Sequence, residues 1–363
     1  MKSSRIVIDK LKHIGHPFNM LISDFDYELP EDLIAQKPLD SRDASRMLVL
    51  DRNKQTWSDS TFSAFAEYLR PTDVVVINNT RVIPARLIGQ RRPSGGRVEI
   101  LLTRELEPGV WEALIRPGSR LKQGAIVDFG GGKLSAQVLD DPGKDLRRVR
   151  FHCEGSFENL LDEIGLTPLP PYIKRASGAL AEDRERYQTV FSRQPGAIAA
   201  PTAGLHFTPQ MLFEVRKRAR LAEITLHVGY GTFEPVRSTS IEEHSVSPER
   251  FQIAEEAARL INEAKKDHSR IIAIGTTTVR ALEASATEHG EVMPGNGNAT
   301  LTIKPAYVFR IADALLTNFH LPRSSLLLLV SAFAGRDLVL DAYKHAVREC
   351  YRFYSYGDCM LIQ

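Results

Sequence analysis

The spacing of apolar residues changes several times along this chain, and each change marks a different kind of element. Asp73–Ile77 reads DVVVI, an unbroken apolar run of the kind a strand buried on both faces shows. From about Val82 to Cys153 the pattern becomes short alternating runs, ARLIGQ, RVEILL, WEALIR, AIVDFG, LSAQVL and RVRFHC, separated by Gly and Pro turns. That predicts a small antiparallel barrel or sandwich. Helical spacing returns over Phe157–Ile164 and in QMLFEVRKRARL. The latter follows Thr208 and Pro209, an N-cap and a first-turn proline. Helices are also expected from about Pro30 to the Pro38 boundary and from Phe62 to Leu69, with a strand over Met47–Leu50.

The carboxyl-terminal half repeats one theme. Arg270–Ile274 reads as a strand that gives way to GTTTVRALEAS, a glycine turn opening a helix, and Leu315–Phe319 gives way to HLPRSSLLLLVSAFAG in the same manner. Strand, polar turn and helix in succession predict a layered α/β sheet. The expected organisation is an α/β domain over 20–72 and 154–363 and an inserted barrel over 73–153, with a disordered extension at 1–19.

Composition narrows the class without choosing a function. The chain has 363 residues, a quarter of them charged, and a formal net charge of +2, so charge alone neither demands nor excludes a nucleic-acid partner. Cys153, Cys350 and Cys359 are odd in number and lack CxxC spacing, which argues against a disulfide framework and against zinc; no metal is expected. The longest apolar run, Leu326–Phe333, is too short to span a bilayer. A cytoplasmic monomer without membrane contact is expected.

Candidate chemistry gathers where turns meet strand ends. In AAPTAGLHFT, Ala199–Thr208, the strong polar side chains are Thr202, His206 and Thr208, punctuated by Pro201 and Gly204. His206 falls just before a helix start, where free N–H groups favour a carboxylate or phosphate. In ITLHVGYGTF, His227 opposes the alternating apolar set, and Gly229, Tyr230, Gly231 and Thr232 follow at the strand's carboxyl end, where open α/β sheets bind ligands. Gly275, Thr276, Thr277, Asn318 and His320 are expected at the same sheet edge. Neither a Walker A sequence nor a GxGxxG fingerprint occurs at Gly275. Ser41, Arg42, Asp43 and Arg46 crowd one loop with groups able to bind an anion or one another.

Several blocks taken together resemble the S-adenosylmethionine:tRNA ribosyltransferase-isomerase family of the queuosine pathway. They are DFDYELPEDLIAQKP, VVINNTRVIPARL, LPPYIKR, AAPTAGLHFT, TLHVGYGTFEPV, IGTTTVRALE, TNFHLPRSSLLLLVSAFAG and YRFYSYGDCMLI, and they run from Met20 to the carboxyl terminus. The resemblance implies a Rossmann-like layered α/β domain carrying an inserted six-stranded antiparallel β-barrel. It implies that S-adenosylmethionine is the cosubstrate and that its ribosyl part moves onto 7-aminomethyl-7-deazaguanine at the wobble position of tRNA with a GUN anticodon. Two positions depart from the family pattern: Ser247 stands where a second histidine is usual after His244, and Ala306 replaces the glycine of a PGY sequence.

The implied chemistry begins with loss of a C5′ proton acidified by the neighbouring sulfonium. A histidine suits that task. His206 is expected to be the base or the group that orients the ribosyl carbon, with His227 next in line and His320 holding a loop of the cosubstrate site. Thr202, Gly204, Gly229, Tyr230, Gly231, Thr232, Gly275, Thr276, Thr277, Asn318 and His320 would contact S-adenosylmethionine. Tyr230, Phe233 and Tyr356 offer aromatic faces to the sulfonium, and Arg81, Lys174, Arg175 and Arg280 would meet RNA phosphates. The rival readings are an S-adenosylmethionine-dependent RNA methyltransferase and a non-catalytic RNA-binding protein.

Overall fold

The computed structural model describes residues 20–118, 121–140, 146–175, 182–233 and 236–363, so the expected extension at 1–19 lies outside the described residues. In chain order the elements begin with β1 (Arg46–Asp51), β2 (Thr56–Thr61), β3 (Val74–Asn78) and the short β4 (Thr80–Val82). Six strands follow, β5 (Arg86–Arg91), β6 (Arg97–Glu107), β7 (Val110–Arg116), β8 (Ile126–Phe129), β9 (Leu134–Val138) and β10 (Leu146–Cys153). Then come α1 (Phe157–Ile164), α2 (Asp183–Arg186), β11 (Gln194–Ala197), α3 (Pro209–Arg218), β12 (Arg220–Leu226) and β13 (Glu249–Ile253). The chain closes with α4 (Glu255–Lys266), β14 (Ile271–Ile274), α5 (Thr276–Ser285), β15 (Gly295–Ala299), β16 (Ala314–Asn318), α6 (Ser325–Ala334), α7 (Arg336–Arg348) and β17 (Cys359–Ile362).

Nine strands form one sheet in the order β15-β13-β12-β3-β14-β16-β17-β1-β2. The central four, β12, β3, β14 and β16, run parallel and end at a common edge, at Leu226, Asn78, Ile274 and Asn318. Because β17 is antiparallel to β16 and parallel to β1, the start of β1 comes to that same edge: Cys359 pairs with both Asn318 and Met47. The pleat sorts β3 onto two cores. Val74 and Val76 belong to the larger one, covered by α4 to α7, while Val75 and Ile77 join Phe62, Phe65, Phe207 and Met211 on the other face. Burial on both sides is why DVVVI shows no alternation.

Strands β5 to β10 close into an antiparallel barrel in the order β10-β7-β6-β5-β8-β9. Alternate residues such as Leu87, Ile100, Val127, Ala136 and Val149 fill its interior. The layered α/β fold with an inserted six-stranded barrel is therefore present. The barrel strands begin at Arg86, however, and not at 73, because β3 lies at the centre of the large sheet between β12 and β14.

Two expected helices are absent or altered. Pro30–Pro38 contains only a single 3-10 turn, Glu31–Leu33, since the main chain beyond it is bonded to Phe353: Phe353 N–H donates to Leu33 O at 2.8 Å and Ala35 N–H to Phe353 O at 3.1 Å. Phe62–Tyr68 winds as a 3-10 helix. The predicted cap at Thr208 forms, its Oγ1 accepting from Met211 N–H at 3.0 Å with Pro209 in the first turn.

Candidate functional site

A cavity of about 460 Å³ opens at the carboxyl edge of the parallel strands, within the size range of small-molecule sites. Of the residues expected to contact the cosubstrate, Thr202, Gly231, Gly275, Thr276, Thr277, Asn318 and His320 line it. Gly204, Gly229 and Tyr230 do not. Gly204 is a packing glycine, since a Cβ there would stand 2.6 Å from the Phe191 ring. Gly229 donates its N–H to Glu249 Oε1 at 3.1 Å, and Tyr230 packs against the barrel core. Thr232 lies in a 3-10 turn, but its side chain, like that of Phe233, lies outside the described residues. Gly275, at φ 91°, opens α5 in a backbone region that side chains disfavour, so a glycine is required at this corner.

The three histidines do not share a site. His206 is 4 % exposed and is absent from the cavity wall. Its Nδ1 lies 2.7 Å from Ser45 Oγ and its Nε2 3.2 Å from Asn318 Nδ2. Asn318 Nδ2 also donates to Tyr354 O at 3.0 Å, and a carbonyl can only accept, so the amide orientation is determined. It follows that His206 Nε2 accepts from Asn318 and Nδ1–H donates to Ser45. Burial pushes the His206 pKa down to about 4, with Arg42 and Arg352 adding repulsion. The ring is thus a neutral clamp joining the end of β16 to the start of β1.

His227 faces a separate hollow with Arg250, Phe251 and Asn296, its Nδ1 2.8 Å from Thr80 Oγ1. Burial, then Arg250, lowers its pKa. His320 is the imidazole that does line the cavity. It is 7 % exposed, its Nε2 sits 3.0 Å from Thr317 Oγ1, and burial pushes its pKa down to about 3.

The queuosine biosynthesis protein family matches residues 22–362. This chain belongs to that family. It is 49 % identical over 346 residues to the S-adenosylmethionine:tRNA ribosyltransferase-isomerase of Natranaerobius thermophilus, covering 95 % of this chain and all of that one. The protein of the same name from Heliobacterium modesticaldum is 50 % identical, covering 94 % of this chain and all of that one. Among solved structures, the S-adenosylmethionine tRNA ribosyltransferase of Thermotoga maritima aligns with a TM-score of 0.54 at 38 % identity, covering 94 % of this chain and all of that one.

Within this family member, the basic residues singled out from sequence occupy four different settings. Arg81 is exposed on β4 and Lys174 is exposed beside Glu31, at 3.4 Å. Arg175 is held by both oxygens of buried Asp183, at 2.7 and 3.0 Å, and is not offered to a ligand. Arg280 does reach the cavity, in a buried ion pair with Glu249 that also receives Gly229 N–H. Burial raises the Glu249 pKa against the opposing pull of Arg280. Among the described lining residues Glu249 is the one carboxylate, and nothing in PERF marked it, because its partner lies 31 positions away.

Aromatic walls were also missed. Tyr172, Tyr187, Phe319 and Tyr354 line the cavity, Tyr172 and Tyr354 in edge contact with ring centroids 3.9 Å apart, whereas Tyr356 lies in a smaller neighbouring hollow. Ser247 lines the cavity flush against Gly231, where any Cβ would come within 2.9 Å of its own. Among the described residues no group of three or more His, Cys, Asp or Glu side chains is placed to hold a metal, and no helix is long and apolar enough to cross a membrane.

Proposed function

We propose that this chain transfers and isomerises the ribosyl moiety of S-adenosylmethionine onto 7-aminomethyl-7-deazaguanine at the wobble position of tRNA with a GUN anticodon, releasing adenine and methionine. The observation that carries this reading is near-complete alignment with relatives of that name, at about half identity, over the strands that form the cavity. The cavity suits the reactants chemically. Tyrosine and phenylalanine faces offer stacking to adenine and to a base drawn out of the anticodon loop, and the Gly275–Thr277 turn presents α5's amino end.

In this reading the cosubstrate rests against Thr202, Gly231, Gly275, Thr276, Thr277 and Asn318. His320, kept neutral by burial, is the imidazole on the wall, and in this reading it accepts the C5′ proton only transiently and passes it on, because burial disfavours its charged form. With hydrogen on Nε2 donated to Thr317, its Nδ1 lone pair is the accepting atom. His206 acts one step back, as the residue that positions Asn318. Glu249 and Arg280 neutralise one another, so a zwitterionic ligand end that brings both an ammonium and a carboxylate to them adds no net buried charge.

The test is product analysis with an anticodon stem-loop carrying the aminomethyl-deazaguanine base and one carrying guanine. Adenine plus methionine, formed only with the modified loop, is the expected result. S-adenosylhomocysteine would assign a methyltransferase instead, and binding without any product would leave an RNA-binding protein. His320→Gln keeps a hydrogen-bonding side chain but cannot accept a proton at neutral pH, and turnover is expected to fall by roughly 10²- to 10⁴-fold.

A further inference from the structure

A second hollow adjoins the cavity and shares Ser355 with it; its wall includes Arg42, Arg186, His206 and Tyr356. Its free volume is about 30 Å³, and a water-sized oxygen needs roughly 10–15 Å³ on this measure. Two oxygens fit there, and a nucleobase does not. Two guanidinium groups and no carboxylate form the wall. Arg42 donates to the carbonyls of Leu205 and Glu185, and Arg186 to those of Leu39 and Asp40. A third arginine, Arg352, donates to Lys37 O and is close enough to depress the His206 pKa.

Among the described residues none of these three arginines is in ion-pair contact with a carboxylate, whereas Arg175, Arg270 and Arg280 are each paired with one. Burial and the neighbouring Arg186 press the Arg42 pKa below its usual value. Polar atoms there also lack partners. Arg186 Nε, Arg352 Nη1 and the hydroxyl of Tyr356 are shut off from solvent with no hydrogen bond, and Tyr356 is only 5 % exposed. Glu185 and Asp358 act on Arg42 and Arg352 only from a distance, and converging guanidinium groups with spare donors and no carboxylate in contact are the composition of an oxyanion site.

We propose that this hollow grips one phosphodiester of the RNA while the adjoining nucleotide occupies the cavity across Ser355. The proposal rests on the tRNA reading above. It differs from that reading in naming Arg42 and Arg186, the two arginines of the wall, as the phosphate-binding residues.

The experiment measures binding of the modified anticodon stem-loop as a function of KCl concentration, alongside KM for S-adenosylmethionine at saturating RNA. Each phosphate contact in a single-stranded loop contributes about 0.7 to the slope of log affinity against log salt. Arg186→Gln is expected to lower the slope by about that amount and to weaken RNA binding roughly tenfold at low salt. Arg186→Lys keeps the slope, and KM for S-adenosylmethionine stays at the wild-type value in both. Arg259→Gln, an exposed charge on α4, leaves the slope unchanged. Arg42→Lys and Arg42→Gln repeat the comparison should Arg186→Gln fail to fold. A wild-type slope in Arg186→Gln overturns the proposal. So does a raised KM for S-adenosylmethionine with unchanged RNA affinity, which would make the hollow the seat of the methionine carboxylate. Wild-type protein with no RNA-dependent turnover would instead count against the ribosyl-transfer reading itself.

Discussion

Replacing His206 with Ala separates a chemical role from a clamping one. The ring is 4 % exposed, packs against Phe62 with centroids 5.4 Å apart and makes hydrogen bonds to Ser45 and Asn318. Losing two buried hydrogen bonds costs about 1 kcal/mol each, and the void left by the ring adds about 1 kcal/mol more, for roughly 3 kcal/mol in all. At about 2.1 cal/mol/K per residue, the 363 residues give an unfolding entropy of about 0.76 kcal/mol/K. Tm should therefore fall by about 4 °C. Acid sensitivity provides a second reading. His206 has a folded pKa of about 4, depressed from 6.5, so its contribution is fully present above pH 6.5 and is lost as pH falls from there towards 4. In that window it contributes a slope of about 1.4 kcal/mol per pH unit, which His206→Ala should remove. Turnover should fall only modestly, with Asn318 loosened but present. Urea unfolding between pH 4 and 7 and single-turnover kinetics on the same preparation decide the matter. An unchanged Tm with turnover lost by 10²-fold or more would refute the clamp and return His206 to the proton-transfer role.

Two further outcomes follow from backbone strain and from a buried ion pair. Ala306 has φ of 76°, a region that costs a non-glycine residue about 1–2 kcal/mol; after the entropy glycine adds to the unfolded chain, Ala306→Gly should stabilise by up to about 1 kcal/mol in urea unfolding, and a loss of stability would show that this strain is absent. Arg175→Ala leaves Asp183, 1 % exposed, without its bidentate partner, and should destabilise by about 3–5 kcal/mol while the salt dependence of RNA binding stays at the wild-type slope; the opposite pattern would make Arg175 a phosphate contact.

What the sequence alone determined is what neighbouring residues decide among themselves. The Thr208–Pro209 start of α3, the doubly buried run of β3 and the turn-separated strands of the barrel depend on contacts a few positions apart or on a period, and each is legible without a fold. So were the turns after β14 and β16, because glycine and polar residues at strand ends carry their own signal. The helix predicted over Pro30–Pro38 failed for the complementary reason: its backbone bonds go to Phe353, more than three hundred positions away.

Tertiary structure decided the rest, and chiefly direction. His206, His227 and His320 all stand near turns or strand ends, yet one is clamped between Ser45 and Asn318 at the wall of the small hollow, one shares a different hollow with Arg250, and one reaches the cavity. Arg175 and Arg186 are equally basic in sequence; the fold gives the first a buried carboxylate and the second only carbonyls and a hollow. Which way a side chain points, and whether its charge is already satisfied, depends on segments that meet only once the sheet is assembled, and no local pattern contains that information.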